Sequence, residues 1–323
     1  MKKEFKDKVI AIFGASLDEH GYYMDNMRRF IAKQDEKCYI VNRSIGGNYA
    51  RLACNMVEDE VDTINPDVVF IHFGGNDVAG DYNANLPETE ELLEVRRTKM
   101  EDYFKYMRKL IRILKGKGYE VHVMLPFAVN ENIDERDDIE TVKDNVDKAK
   151  YLNCKASLTN VNNMWRGTAI PGLKKIVEEE GVGMINTFDT TYEAMINSNG
   201  EMFTEDEKHY SKRGHEVVAK IFLEYLGYEN VPDTFDIKND LCSVINRLEQ
   251  IERHIQFFRR WIFYPEAHKP FKDVNTEADV KAKLKELMQD PKYPYYAYAE
   301  VADYFYDDLT LLREKTFNLI KKI

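Results

Sequence analysis

Five short runs rich in Val, Ile and Phe recur before residue 190: KVIAIFG (8–14), CYIVNR (38–43), DVVFIHFGG (67–75), YEVHVMLPF (119–127) and GVGMINTFD (181–189). They are nearly continuous in apolar residues, as strands buried on both faces of a parallel sheet are. Longer stretches with helical apolar spacing separate them. EELLEVRRTKMEDYFKYMRKLIRILKGKG stops at Gly116 and Gly118, and GLKKIVEEEG also ends at glycine. SKRGHEVVAKIFLEYLG opens on a candidate N-cap, Ser211, and lines Val217, Val218, Ile221, Phe222 and Tyr225 along one face. Strands alternating with helices in this way predict an α/β class domain, a three-layer α/β/α sandwich around a five-stranded parallel sheet.

The pattern changes at GYENVPDTFD (227–236), where Gly, Asn, Pro and Asp cluster as in a loop or linker. The expected division is therefore a first domain over 1–228 and an all-helical C-terminal region over 229–323. In that region Ile237, Leu241, Val244, Leu248, Ile251, Ile255, Phe258 and Ile262 recur in alternating steps of four and three, the spacing of a coiled-coil seam. Two further helices are expected in EADVKAKLKELMQD and AEVADYFYDDLTLLREKTFNLIKKI, on either side of PKYPYYAY. The last carries its own stripe, Phe305, Leu309, Leu312 and Ile320. The seam can pair with that helix, or with its own copy in a second chain to give a homo-oligomer.

Composition removes several function classes. A net charge of −11 and a pI near 5.3 argue against non-specific binding to nucleic acid or to an anionic membrane. No apolar run reaches the roughly 18 residues that span a bilayer, and MKKEFKDKVIAIFGAS reads as the approach to a first strand rather than as a signal peptide. Cys38, Cys54, Cys154 and Cys242 are scattered, as reduced thiols of a cytoplasmic protein are. The seven histidines show no tight ligand spacing, so neither a metal nor another cofactor is expected.

In a parallel sheet, functional groups gather at the carboxyl ends of the strands. The first strand delivers Ser16, the second the loop NRSIGGN, the third GGND, and a later loop EDEKHYSKRGH. Acyl transfer needs a nucleophile, a base, a group that orients the base, and donors for the oxyanion. Ser16 can serve as nucleophile and His209 as base. Asp206, three residues before His209, can reach the other imidazole nitrogen. The N–H groups of Ser16 and Gly47 and the Asn76 side-chain amide can meet the oxyanion. Taken alone, Ser16 is an ordinary helix N-cap and His209 a surface residue. Asp77 reads as a residue that ties down the Asn76 loop, His72 and His215 as structural histidines, and Tyr22 and Tyr23 as packing residues.

Four blocks in order, FGASLD, NRSIGGN, GGND and DEKHYSKRGH, resemble those of the SGNH hydrolase superfamily, the GDSL esterases. The resemblance covers about residues 8–227 and implies a flavodoxin-like sheet, a catalytic triad of Ser16, His209 and Asp206, and an oxyanion hole of Ser16, Gly47 and Asn76. It implies a cofactor-free serine esterase acting on small acyl esters, above all acetyl esters of carbohydrates, so the expected partner is a small-molecule or oligosaccharide ester. Acyl transfer to a sugar hydroxyl would use the same residues, and a non-catalytic scaffold would keep only the fold. The sequence departs from the family pattern at Ala15, where an aspartate is usual, at Ser44, where glycine is common, and at Asn48, where aspartate is common. Ala15 removes a carboxylate beside the nucleophile that would help to hold the loops.

Overall fold

The structure, a computed structural model, describes residues 2–78, 100–130, 161–198, 201–204, 209–236, 239–264, 274–289 and 308–323. Its strands are β1 (Val9–Gly14), β2 (Tyr39–Asn42), β3 (Val68–His72), β4 (Glu120–Met124) and β5 (Gly183–Ile185). All pair in parallel, in the order β2-β1-β3-β4-β5. This is the doubly wound order whose direction reverses between β1 and β3, leaving a crevice at their carboxyl ends. The three-layer α/β/α reading of the sequence is therefore met, with five parallel strands where five apolar runs stand.

The helices are α1 (Ser16–Glu19), α2 (Tyr22–Ile31), α3 (Ala50–Val57), α4 (Gly75–Val78), α5 (Met100–Gly116), α6 (Ile170–Glu180), α7 (Thr187–Asn197), α8 (Lys212–Tyr225), α9 (Leu241–Phe263), α10 (Glu277–Gln289) and α11 (Leu309–Ile320). Successive strand residues point to opposite faces and build two cores. Ile10, Ile12, Val68 and Phe70 meet Met24 and Met27 of α2 and Val218 and Phe222 of α8. Ala11, Phe13, Val69 and Ile71 meet Leu52 of α3, Leu110 of α5 and Leu173 of α6. Ser211 caps α8 by accepting the Gly214 N–H at 3.4 Å. The fifth strand is shorter than the run GVGMINTFD suggests. Asn186 accepts the Asp189 N–H and turns the chain into α7, so TFD is helical.

The C-terminal helices cover the β2 edge. Asp240 and Asp308 cap α9 and α11 by accepting the N–H groups of Ser243 and Leu311. Helix α9 packs along α11 of the same chain and against α2. Ile245 of α9 and Ile320 of α11 close over Val41 of β2. Of the seam positions, Ile251 and Ile255 are buried, but Leu241 and Val244 stay 36% and 42% exposed. Ile237 and Phe305 lie outside the described residues. Much of the face that α9 buries is polar, and it is built from Asn246, Glu249, Glu252 and Arg253.

Those charges form a network that hydropathy patterning does not reveal. Glu249 accepts from Arg28 of α2 at 2.6 Å and from the Asn42 N–H of β2 at 2.9 Å. Arg43, just past β2, donates to both oxygens of Glu252 at 3.0 Å and to Glu60 at 2.8 Å. Arg253 donates to Glu60, and Arg313 of α11 to Glu252, each at 2.5 Å. Burial alone would raise the Glu252 carboxyl, but the Arg253, Arg43 and Arg313 guanidiniums outweigh it and bring the group down to about 2. Removing one anion from such a cluster strands several buried cations, a loss of about 3–5 kcal/mol. Denaturant unfolding should therefore show Glu252→Ala destabilised by about that amount and Val244→Ala by less than about 0.5 kcal/mol. A dominant apolar seam would give the opposite ranking.

Candidate active site

Ser16 is the first residue of α1, directly beyond β1, and its hydroxyl lies 2.9 Å from His209 Nε2. The turn between strand and serine requires glycine. A Cβ at Gly14 would sit 2.2 Å from Asp18 Oδ2 and 3.0 Å from the His72 carbonyl. His209 is positioned by backbone pairing just before α8. Its carbonyl accepts from Thr204 N–H at 2.8 Å, Phe203 and Tyr210 form an antiparallel bridge, and the Tyr210 hydroxyl donates to the Ala128 carbonyl at 3.1 Å. Asp206 lies outside the described residues.

Asn76 lies in α4, beyond β3, and donates its side-chain amide to the Asn48 carbonyl at 2.9 Å. An amide nitrogen carries two hydrogens, so one donor remains. Gly47 adopts φ 66°, a left-handed conformation that glycine takes without steric cost, and thereby shapes the loop that presents the Asn48 carbonyl. Asp77 is fully buried and accepts the Ala50 N–H on both oxygens, at 3.0 and 3.1 Å, which ties α4 to the start of α3. The structure thus brings Ser16 into contact with His209 and joins the loops of Gly47 and Asn76.

Ser16, His209 and Asn76 line one cavity of about 120 Å³. Gly47 is not among its lining residues. Most of the wall is apolar, including Leu17, Phe73, Val78, Phe127, Met164 and Trp165. Asp18 and His72 also face it, and neither stands out in the sequence as a functional residue. Asp18 is fully buried, accepting from the Tyr23 hydroxyl and pairing with His72 Nδ1, each at 2.8 Å. Burial, then the Asp18 charge, raises the Tyr23 phenol well above its ordinary value, so Tyr23 remains a donor. The one sequence signal was a histidine at the carboxyl end of a central, otherwise apolar strand.

No protein-family model and no curated protein matches the sequence. Among solved structures, Axe2, an acetylxylan esterase from Geobacillus stearothermophilus, is similar at a TM-score of 0.51 and 20% identity, over 72% of this chain and 99% of its own. A Trp-to-Ile mutant of Axe2, described as an acetyl-xylooligosaccharide esterase, aligns over the same shares with a TM-score of 0.52 and 20% identity. At this identity the likeness is one of fold. Three further Axe2 structures, similar at 20% identity, are called catalytic mutants, in which a serine, an aspartate or a histidine is replaced by alanine. In Axe2 that aspartate precedes the histidine by three residues.

The surroundings of this site separate its histidines. His215, in the first turn of α8, is buried among Tyr22, Tyr23 and Tyr210, and its Nδ1 has no hydrogen-bond partner among the described residues. Burial, then the neighbouring His20 and His209, pushes it down to about 3. Burial also brings His254 of α9 to about 3. Tyr22 is 51% exposed and stacks with His20, whereas Tyr23 is a core residue. Among the described residues no cluster of His, Cys, Asp or Glu could hold a metal ion, and no helix is long and apolar enough to cross a membrane.

A histidine whose folded value lies below its unfolded value of about 6.5 contributes stability that is complete above pH 6.5 and is lost as pH falls towards 3. His215 and His254 should each contribute about 1.4 kcal/mol per pH unit in that window. Unfolding titrations between pH 6.5 and 5 should show the slope lower in His215→Leu than in wild type by about 1 kcal/mol per pH unit, on top of the opposite contribution of Asp25, whose carboxyl burial raises to about 7.

Proposed function

We propose that this protein is a serine esterase that hydrolyses small acyl esters, with acetyl esters of carbohydrates as its main substrates. The 2.9 Å contact between Ser16 Oγ and His209 Nε2, at the mouth of the β1–β3 crevice and in the wall of one cavity, carries this reading. A serine and an imidazole at hydrogen-bond distance are the nucleophile and base that acyl transfer needs. The fold shared with Axe2, an acetylxylan esterase, supports the substrate class, and the three-residue step from the mutated aspartate to the mutated histidine of Axe2 is also the step from Asp206 to His209 in this sequence.

In this mechanism His209 Nε2 takes the Ser16 proton as Oγ attacks the ester carbonyl. The carbonyl oxygen becomes an oxyanion, met by the Ser16 N–H and by the second amide hydrogen of Asn76, while Gly47, outside the cavity lining, shapes the loop whose Asn48 carbonyl holds Asn76. His209 then passes its proton to the departing alkoxide, leaving an acyl-enzyme. Water, deprotonated by the same nitrogen, attacks that acyl group, and the collapse of the second intermediate returns the proton to Ser16. Asp206 accepts from His209 Nδ1–H and so keeps the lone pair on Nε2. The SGNH-type architecture runs this chemistry without a cofactor.

A second reading concerns the acyl group. The apolar wall of Leu17, Val78, Phe127 and Met164 leaves room for chains longer than acetyl.

The purified protein should hydrolyse 4-nitrophenyl acetate, and Ser16→Ala should lose at least about a thousandfold in kcat, as removal of a nucleophile does. Asn76→Ala should lose about a hundredfold or more, the usual effect of one oxyanion donor. Equal turnover by wild type and Ser16→Ala would overturn the proposal. A series of longer 4-nitrophenyl esters in the same assay distinguishes acetyl preference from the longer-chain reading, and product analysis with an added sugar acceptor detects transfer.

A further inference from the structure

The cavity beside Ser16 holds a second acid–imidazole pair that the proposed mechanism does not use. Asp18 stands two residues beyond Ser16 and is completely buried, with Tyr23 Oη on one oxygen and His72 Nδ1 on the other. A carboxylate only accepts, so Nδ1 carries the hydrogen and a neutral ring keeps a lone pair on Nε2. Among the described residues Nε2 has no hydrogen-bond partner, and the ring lines the cavity shared by Ser16 and His209. Trp165 lines the same cavity. Its side chain is 3% exposed, and its buried Nε1–H has no partner among the described residues. A buried donor left unpaired is destabilising and is seldom retained without a use.

We propose that His72 and Trp165 are recognition residues for free hydroxyl groups on the alcohol portion of the ester, with Asp18 as the residue that positions His72. The inference rests on the esterase reading of the same site and assigns its selectivity. The substrate O–H donates to His72 Nε2, and a substrate oxygen accepts from Trp165 Nε1–H. A hydroxyl meets both needs, either as one group or as two neighbouring groups of a diol. An ether or carbonyl oxygen answers only Trp165, and an aliphatic chain answers neither. The ester selected is therefore that of a polyol in which free hydroxyls neighbour the acylated one, as in a partly acetylated sugar. A site built to pair a substrate hydroxyl discriminates strongly against an analogue that lacks it, because its own polar groups are then left buried and unpaired.

The test compares kcat/KM on a monoacetylated methyl β-xylopyranoside, on its triacetate and on 4-nitrophenyl acetate, which has no hydroxyl in its alcohol portion. Wild type should prefer the monoacetate to the triacetate. In Trp165→Phe and His72→Phe the ratio of monoacetate to 4-nitrophenyl acetate activity should fall about tenfold, the worth of one or two hydrogen bonds. The fall should come through KM. Asp18→Asn should lower the same ratio in the same way, which a general loosening of the fold would not do. Trp165→Phe keeps an aromatic ring in the wall and decides the matter alone if circular dichroism shows either other variant unfolded. An unchanged ratio, or no preference for the monoacetate in wild type, overturns the proposal.

The esterase reading fails separately, by equal turnover of 4-nitrophenyl acetate in wild type and Ser16→Ala. In that event, calorimetric titration with methyl β-xylopyranoside still tests the recognition pair. Binding weakened about tenfold in Trp165→Phe supports it, and equal or absent binding in both proteins overturns it.

Discussion

The reversal of strand order between β1 and β3 is the constraint on which the candidate site depends. Because β2 lies on one side of β1 and β3 on the other, the loops leaving β1 and β3 diverge, and a crevice opens between their carboxyl ends. Ser16 stands on one wall of it and Asn76 on the other. His209 arrives from elsewhere, carried to the crevice by the segment that leads into α8. Each group is held by backbone pairing or by a buried side chain close to it, so their relative positions are fixed by the fold.

Asp18 keeps a buried carboxylate beside Ser16 although Ala15 supplies none. Ala15 places no charge before the serine, and Asp18 places one after it, on the inner side of α1. From there the carboxylate joins three elements: its own turn, α2 through Tyr23, and β3 through His72. Gly14 is the counterpart of that arrangement, because any side chain at that position would displace the carboxylate. The same interaction that stiffens the Ser16 turn also turns His72 towards the cavity.

The C-terminal helices solve a different problem. A parallel sheet leaves its edge strand with unpaired backbone groups, and β2 is such an edge. Glu249 of α9 takes one of those groups, the Asn42 N–H, and Glu252 and Arg313 extend the cover with buried charge. Buried ion pairs contribute less to net stability than well-packed apolar residues would, since desolvation offsets their attraction. Their geometry is demanding, however, and it fixes where α9 and α11 sit on the α/β layers.

The sequence by itself determined the strand runs, the parallel sheet, the N-cap of α8 and the residues that meet as Ser16 and His209, because each rests on local chemistry: continuous apolar runs, cap residues, and polar groups at strand ends. It also marked Asn76 and Gly47, as donors in polar blocks beyond strand ends and through the family resemblance. The end of β5 was less legible, since Asn186 can belong to a strand or cap a helix, and only the neighbouring elements choose. Spacing made α9 an apolar seam, yet much of its buried face is ionic. Periodicity records which residues are apolar, whereas burial of Glu252 or Arg253 depends on partners such as Arg43 and Glu60 that lie about two hundred residues away. Asp18 and His72 were hidden for the same reason. Nothing local distinguishes a loop aspartate from one that accepts two hydrogen bonds in the core, and only the pairing of β1 with β3 brings His72 to it.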